Sequence, residues 1–239
     1  MKRIHMKFNT LLSCSLGLLL VGMLWSCELS EIDNYPGPNA TISGGIYDME
    51  TGELVEQDII KGMQIEYIED GYDNPEIQYM VVKNDGTYLN KLMFANTYSM
   101  RPVRGNFVPV GSKGVRVQGD TKVDFQVLPY IRIKNAEIKK EGNKVIATFN
   151  LQQTVPNKTS KIGLYAHKEE NVGLPLNVVA QELVINAVVE ESTTYRLEID
   201  LEANSNKLLA GQAYFFRIGA LMGAPEAKPN YAPAVRINL

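Results

Sequence analysis

The chain has few of the side chains from which proteins build metal sites and disulfides: two cysteines, two histidines and one tryptophan in 239 residues. Both cysteines, the tryptophan and one histidine lie within the first 27 residues. His167 is the only histidine after them, which excludes zinc sites built from several histidines or cysteines. Internal disulfides are excluded there too, so the fold must be held by its apolar core. No tryptophan follows residue 27, so only tyrosine or phenylalanine could stack against a sugar ring.

Residues 1–26 have the composition of an export signal. A basic start precedes an apolar run over residues 11–24, which is shorter than the ~20 residues that a helix needs to cross a bilayer. The ending Leu-Trp-Ser-Cys resembles that of bacterial lipoprotein signals, although tryptophan stands where a small residue is usual. The resemblance implies that Cys27 is the lipid attachment site, with several acyl chains anchoring the protein stably. A secretory signal cleaved near Ser26 is the alternative.

Residues 27–39 are acidic and contain two prolines, which keep the chain extended. We therefore expect a tether between a membrane and a folded domain. An acidic stretch beside a lipidated cysteine also resembles the surface-export signals of Bacteroidetes-type lipoproteins. That resemblance implies an outer-membrane location on the cell surface, with the periplasmic face as the alternative.

The charge of the chain argues against one class of partner. Removal of the signal would leave 21 basic and 27 acidic residues, a net charge of −6. Nucleic-acid binding needs a clustered basic face, so we expect no nucleic-acid partner.

From residue 40 onward the sequence predicts an all-β fold of two tandem β-sandwich domains, over residues 40–130 and 131–239. Runs of β-branched and aromatic residues alternate with polar ones and are bounded by turn residues. No stretch of twelve or more residues has a convincing helical period. Residues 181–189 and 202–209 are the two short helical candidates.

Three motifs in the first domain carry a family resemblance. Ser43-Gly-Gly-Ile-Tyr-Asp, followed by Thr51-Gly, is similar to the opening strand and turn of transthyretin-like, carboxypeptidase-regulatory domains. Asn84-Asp-Gly-Thr-Tyr, which is also a strong hairpin signal, and Phe94-Ala-Asn-Thr-Tyr match two further motifs of that family. The resemblance implies a small Greek-key sandwich that serves as an accessory domain and has no catalytic residue.

The second domain resembles fibronectin type III sandwiches at one corner. Leu208, Gly211 and Tyr214 have the spacing of that family's E–F corner. The resemblance implies that the hydroxyl of Tyr214 bonds back to the upstream backbone, forming a structural tyrosine corner. The tryptophan expected in the second strand is missing, and Phe149 or Leu151 would have to fill its volume.

The combination of signal, tether and two sandwiches resembles an uncharacterised family of Bacteroidetes lipoproteins encoded beside SusC/SusD-type glycan-uptake pairs. It implies a non-enzymatic outer-membrane surface lipoprotein without a cofactor, which binds polysaccharide or contacts the outer-membrane transporter complex. The alternative is a structural adhesin, a pilus-type protein or a surface-assembly component. A terminal strand over residues 234–239 that could be donated to a neighbour would favour that alternative.

One loop concentrates groups suited to binding. Residues 69–76 contain Tyr72, Asp73 and Asn74, an aromatic and two oxygen ligands that could hold sugar hydroxyls or calcium. The spacing does not match an EF-hand. Asp, Asn, Gly and Pro are also turn formers, so a solvated turn is the alternative.

Two other features are weaker indications of a functional site. His167 has no Gly-x-Ser-x-Gly nucleophile motif to act with, so we interpret it as a strand-end residue rather than a catalytic base. One stretch contains four basic residues that could bind acidic sugars or could protect a sheet surface. These are Arg101, Arg104, Lys113 and Arg116.

Overall fold

The computed structural model describes residues 36–239. The signal over residues 1–26, the lipid attachment site Cys27 and most of the tether lie outside the described residues, so they remain predictions. The last four residues of the tether are exposed and irregular. At Asn39 the chain joins the fold, because the amide of Asn39 donates to the carbonyl of Met93 at 3.0 Å.

Eight strands form the first sandwich. They are β1 (Ala40–Asp48), β2 (Gln64–Glu69), β3 (Ile77–Val81), β4 (Thr87–Met93), β5 (Asn96–Val103), β6 (Lys113–Val117), β7 (Asp120–Lys122) and β8 (Phe125–Val127). One sheet has the order β3-β2-β5-β6, and in the other β1 pairs antiparallel with β4 and parallel with both β7 and β8. Alternation of side chains places Ile42, Ile65 and Met100 in the core between the two sheets.

Eight further strands form the second sandwich. They are β9 (Ile131–Glu141), β10 (Lys144–Gln153), β11 (Thr159–His167), β12 (Val179–Ala187), β13 (Thr194–Asp200), β14 (Ala213–Met222), β15 (Asn230–Tyr231) and β16 (Val235–Asn238). One sheet has the order β13-β10-β9. The other has the order β12-β11-β14, with β15 and β16 both pairing with the far side of β14. The described residues thus form two tandem β-sandwiches, as predicted.

The core of the second sandwich contains both residues proposed to replace the missing tryptophan. Phe149 and Leu151 lie on β10 and are fully buried. The ring of Phe149 also stacks on Tyr195 of the neighbouring strand, with 5.8 Å between centroids. The hydroxyl of Tyr214 accepts from the amide of Leu209 at 3.0 Å and donates to the carbonyl of Lys207 at 3.1 Å.

Both helical candidates are wrong. Residues 181–187 belong to β12, whose backbone pairs with β11 from end to end. Residues 202–209 form successive turns, because Asp200 and Asn204 bond to nearby backbone groups and compete with a regular helix. Among residues 36–239 no helix is long and apolar enough to span a bilayer.

The terminal strand is engaged within its own sheet. β16 pairs antiparallel with β14 over four residues, with Tyr214 opposite Ile237. The amide of Gly211 also donates to the carbonyl of Leu239, the last residue, at 2.7 Å. Donation of this strand to a neighbour would therefore require these bonds to break.

The two sandwiches pack against each other through buried polar contacts within one compact unit, residues 38–239. Arg217 of β14 is 1% exposed and reaches across the junction. Its Nη1 donates to the carbonyl of Gln57 at 2.9 Å, its Nε donates to the carbonyl of Ala232 at 2.9 Å, and its Nη2 pairs with the carboxylate of Glu56. The guanidinium thus joins the segment between β1 and β2 to the second sandwich.

Other contacts also cross the junction. Arg132 at the start of β9 donates to the carboxylate of Asp48 at the end of β1, with 3.0 Å between Nη2 and Oδ1. The side-chain amide of Asn230 donates to the carbonyl of Asn106 at 3.0 Å. Burial raises the pKa of Asp48, but the bonds from Arg132 and from the amide of Glu50 outweigh it, so the pKa lies below its usual value.

Candidate functional site

The outward side of the sheet β3-β2-β5-β6 carries an exposed aromatic among planar polar side chains. Ile65 and Met80 point into the core, so their neighbours along each strand point outward. We call this surface the Tyr79 face. Its members on the four strands are Gln64, Glu66, Ile68, Ile77, Tyr79, Val81, Thr97, Ser99, Arg101, Val103, Gly114 and Arg116.

Tyr79 lies on the edge strand β3 and is 40% exposed. The guanidinium of Arg104, just beyond β5, lies 4.8 Å from the ring centroid. The same guanidinium donates to the side-chain carbonyl of Gln64 at 3.3 Å. The cation therefore restrains the ring while part of the ring remains accessible, and an aromatic with few rotamers loses little entropy on binding.

Glu66 and Arg101 form the polar centre of the face. Register places Glu66 between Tyr79 and Arg101, and Nε of Arg101 lies 2.7 Å from Oε1 of Glu66. Because the Arg101 side chain is 44% exposed, solvent screens the pair, and it adds little to stability. The pairing does hold a carboxylate and a fork of N–H donors beside the tyrosine ring, which is the donor and acceptor set that sugar hydroxyls need.

The rest of the Tyr79 face is apolar along its edge. Ile77 and Val81 flank Tyr79 on β3, and the side chains of both are about half exposed. Apolar groups beside planar polar ones suit a pyranose ring, whose two faces present C–H groups and whose rim presents hydroxyls.

The predicted loop residues lie at one end of this face. The loop over residues 70–76 joins β2 to β3, and Tyr72, Asp73 and Asn74 are all exposed, Tyr72 by 63%. The side-chain amide of Asn96 fixes the base of the loop by donating to Oε1 of Glu69 at 2.9 Å. The three predicted residues and Tyr79 thus belong to a single β-hairpin.

The structure separates the four residues of the basic stretch. Arg101 and Arg116 belong to the Tyr79 face, and Arg104 covers its tyrosine. Lys113 instead donates to the carbonyl of Asp124 at 2.7 Å and packs over the ring of Phe125. Three of the four cations therefore lie on or beside the Tyr79 face, and Lys113 is committed elsewhere.

His167 and the charged residues of the domain junction have structural partners. Nδ1 of His167 accepts from the amide of Glu169 at 3.0 Å, which closes a turn after β11.

Two clefts of about 300 and 330 Å³ lie at the domain junction and are lined by Glu56, Arg217, Asp48 and Arg132. Burial raises the pKa of Glu56 and Arg217 opposes the shift, so these groups are already paired with each other. Within residues 36–239 no three His, Cys, Asp or Glu side chains are grouped to hold a metal ion.

Sequence reasoning did not single out Tyr79. Its neighbours Ile77, Met80 and Val81 are apolar, so the sequence does not show which side of the strand faces water. Only the fold shows that Ile77, Tyr79 and Val81 are on the exposed side. The sequence also does not predict the pairing of Glu66 with Arg101, because the two residues are far apart in the chain and become neighbours only through strand register.

Comparison with known proteins is consistent with this architecture. Residues 40–128 match the family described as "Protein of unknown function (DUF3823) N-terminal domain", and residues 131–236 match "Domain of unknown function (DUF3823_C)". No curated protein matches the chain.

Solved structures extend the comparison. A Bacteroides uniformis protein described as a "putative carbohydrate binding protein" is 36% identical, with a TM-score of 0.79 over 85% of this chain and 100% of that one. A DUF3823 family protein from Parabacteroides merdae is 23% identical, with a TM-score of 0.74 over the same shares of the two chains. One from Bacteroides ovatus is 22% identical, with a TM-score of 0.69 over 84% of this chain and 100% of that chain. The last two show the fold alone. With both of its domains matched, the chain belongs to the DUF3823 family.

Proposed function

We propose that this protein is a non-enzymatic surface lipoprotein that captures polysaccharide on the Tyr79 face. The observation that carries the proposal is the exposed Tyr79 ring, held between Arg104 and the Glu66–Arg101 pair on an open sheet. The 36% identical Bacteroides uniformis protein, which is described as a "putative carbohydrate binding protein", supports the same ligand class.

The geometry suggests how a glycan would be held. The C–H face of one sugar ring packs on Tyr79 and Ile77, while its hydroxyls exchange hydrogen bonds with Arg101, Glu66 and Gln64. A sheet surface has no end wall, so it suits the interior of a long chain better than a terminal sugar. Tyr72 on the adjoining loop extends the contact to a neighbouring sugar.

Replacement of Tyr79 by alanine tests the site. We expect Y79A to lose at least about tenfold in affinity for a bound polysaccharide, which corresponds to ~1.4 kcal/mol. Y72A should lose less, because the loop contributes at one end of the face. The measurement is affinity electrophoresis and calorimetry on residues 36–239 with a panel of host and plant polysaccharides.

L92A is the matched control, since Leu92 is a large exposed apolar side chain that lies on the opposite sheet. It should bind like the parent protein. If the parent binds a glycan and Y79A binds it equally well, the Tyr79 face is not the site. If the parent binds no glycan in the panel, contact with a transporter complex becomes the preferred hypothesis. Co-purification from native membranes would detect that contact.

We further propose that Cys27 carries the lipid anchor and that the protein acts on the outer-membrane surface, as an accessory of a SusC/SusD-type uptake system. The two sandwiches would then be the transthyretin-like and fibronectin type III-like modules of that system. The support is the sequence: a basic start, an apolar run and a cysteine, followed by an acidic tether.

Substitution of Cys27 by alanine tests the anchor. We expect C27A to move from the membrane fraction to the soluble fraction, because an acylated cysteine supplies the membrane affinity. C14A should stay in the membrane fraction, because Cys14 lies inside the apolar run. Fractionation and immunoblotting measure both. Retention of C27A in the membrane fraction would show that the anchor is elsewhere.

A further inference from the structure

β12 is an edge strand that has little of the protection usual for edges. It pairs with β11 along one side, and no described strand pairs with its other side. Its nine residues contain no proline, no lysine and one charge, Glu182, which is paired with Lys161 at 2.8 Å. Leu183 and Val184 are 45% and 65% exposed. Long, uncharged apolar edges are templates for pairing with another strand.

Three other edges of the same two sandwiches are charged. β13, the edge of the facing sheet, carries Arg196 and Glu198, which bond to each other. β9 carries five charged residues over its last eight positions and β6 carries two over its length. β3, an edge of the first sandwich, has no charged residue either, but it has five residues where β12 has nine. β12 is therefore the longest apolar edge among the described strands.

The sandwich is also open beside β12. Leu183 pairs with Ile162 of the buried core, so its side chain points toward the inside of the sandwich, yet it is half exposed. A cavity of about 450 Å³ lies near it, between the start of β12 and the end of β13, and is lined by Val179, Gln181 and Ile199. A strand added to β12 would extend the sheet over this opening.

We propose that β12 pairs antiparallel with β12 of a second copy of this chain, forming a twofold dimer with one continuous sheet. In the register that places Leu183 opposite Leu183 of the other copy, Glu182 lies opposite Val184, and Gln181 lies opposite Ile185. The single charge therefore never meets its own copy, and the exposed apolar side chains cover each other. A twofold interface requires this kind of self-complementarity. The proposal is independent of the glycan site.

Sedimentation of residues 36–239 tests the dimer; residues 38–239 of this fragment are one compact unit. The parent protein should form a dimer whose fraction rises with concentration. L183K should be monomeric, because the substitution places two lysines opposite each other. V81K is the matched control, since Val81 is a similarly exposed residue on the other uncharged edge, β3, and it should still dimerise. A parent protein that is monomeric throughout, or a V81K variant that is monomeric while L183K dimerises, overturns the proposal.

A cross-link tests the register without depending on affinity. Residues 36–239 contain no cysteine, so L183C introduces the only thiol. Opposed residues in an antiparallel pair have Cβ atoms about 4.5–5.5 Å apart, close to disulfide distance. Mild oxidation should therefore give a disulfide-linked dimer of L183C, and V81C should remain a monomer under the same conditions. Failure of L183C to cross-link, or equal cross-linking of V81C, counts against pairing at β12.

Discussion

Replacement of Arg217 by methionine is expected to destabilise the protein by roughly 3–5 kcal/mol, the range for breaking a buried ion pair from one side. Methionine matches much of the arginine volume but leaves the carboxylate of Glu56 and the carbonyls of Gln57 and Ala232 without their donor. Unpaired buried acceptors account for most of the loss. Urea unfolding followed by circular dichroism, with the midpoint and slope fitted separately, measures the change.

R101M is the matched control. Arg101 also pairs with a glutamate, but its side chain is 44% exposed, so we expect a change of at most ~1 kcal/mol. The double variant E56Q/R217M should be more stable than R217M, because it removes the uncompensated charge. If R217M loses no more than R101M, the guanidinium does not hold the junction together.

Replacement of Gly44 by alanine is the second substitution with a large expected effect. A Cβ atom at this position would lie 1.8 Å from the carbonyl oxygen of Val123, a backbone atom that cannot rotate away. Val123 is tied to β1 on either side of Gly44, through its own amide to Ser43 and through Asp124 to the amide of Gly45. Overpacking against fixed backbone should cost about 3 kcal/mol or more, lowering Tm by ~6–12 °C.

The control for G44A is G114A. Gly114 also lies within a strand of the same sandwich, and its Cβ would meet no atom within 4 Å. Its melting temperature should equal that of the parent protein or rise slightly, because alanine loses less entropy on folding than glycine. Differential scanning calorimetry on both variants distinguishes the effect of a steric clash at Gly44 from the effect of replacing any glycine within a strand. Equal melting temperatures for G44A and G114A would contradict the close approach of Val123.

The predictions from sequence succeeded where local pattern and local structure agree. Asn84-Asp85-Gly86 does form a tight turn, with Gly86 at φ 80°, but the hairpin predicted there is wrong, because β3 and β4 on either side of the turn belong to different sheets. The alternation of Tyr195, Leu197 and Ile199 with polar residues predicts a strand with one buried side, and β13 buries Leu197 and Ile199. Both features depend on residues within a few positions of each other.

The predictions failed where the outcome depends on distant parts of the chain. A short helix was predicted where β12 lies. The reason is that buried and exposed residues do not alternate clearly along an edge strand whose one side is open. Arg217 sits in an apolar strand, and one of its acceptors, Gln57, lies 160 positions away. Tyr79 becomes a candidate only when register places Glu66 beside it. In each case the determining contact is between residues that the sequence separates widely.

The place where the chain enters the fold has a mechanical consequence. A pull arriving at Asn39 acts on the start of β1, which is hydrogen bonded to β4 on one side and to β7 and β8 on the other. Force along β1 therefore loads several ladders in shear at once, rather than peeling one strand from an edge. The Tyr79 face belongs to the other sheet, so its strands carry none of these ladders. Unfolding from this end therefore requires three ladders to break together, which makes β1 the most resistant point at which the first sandwich could be pulled.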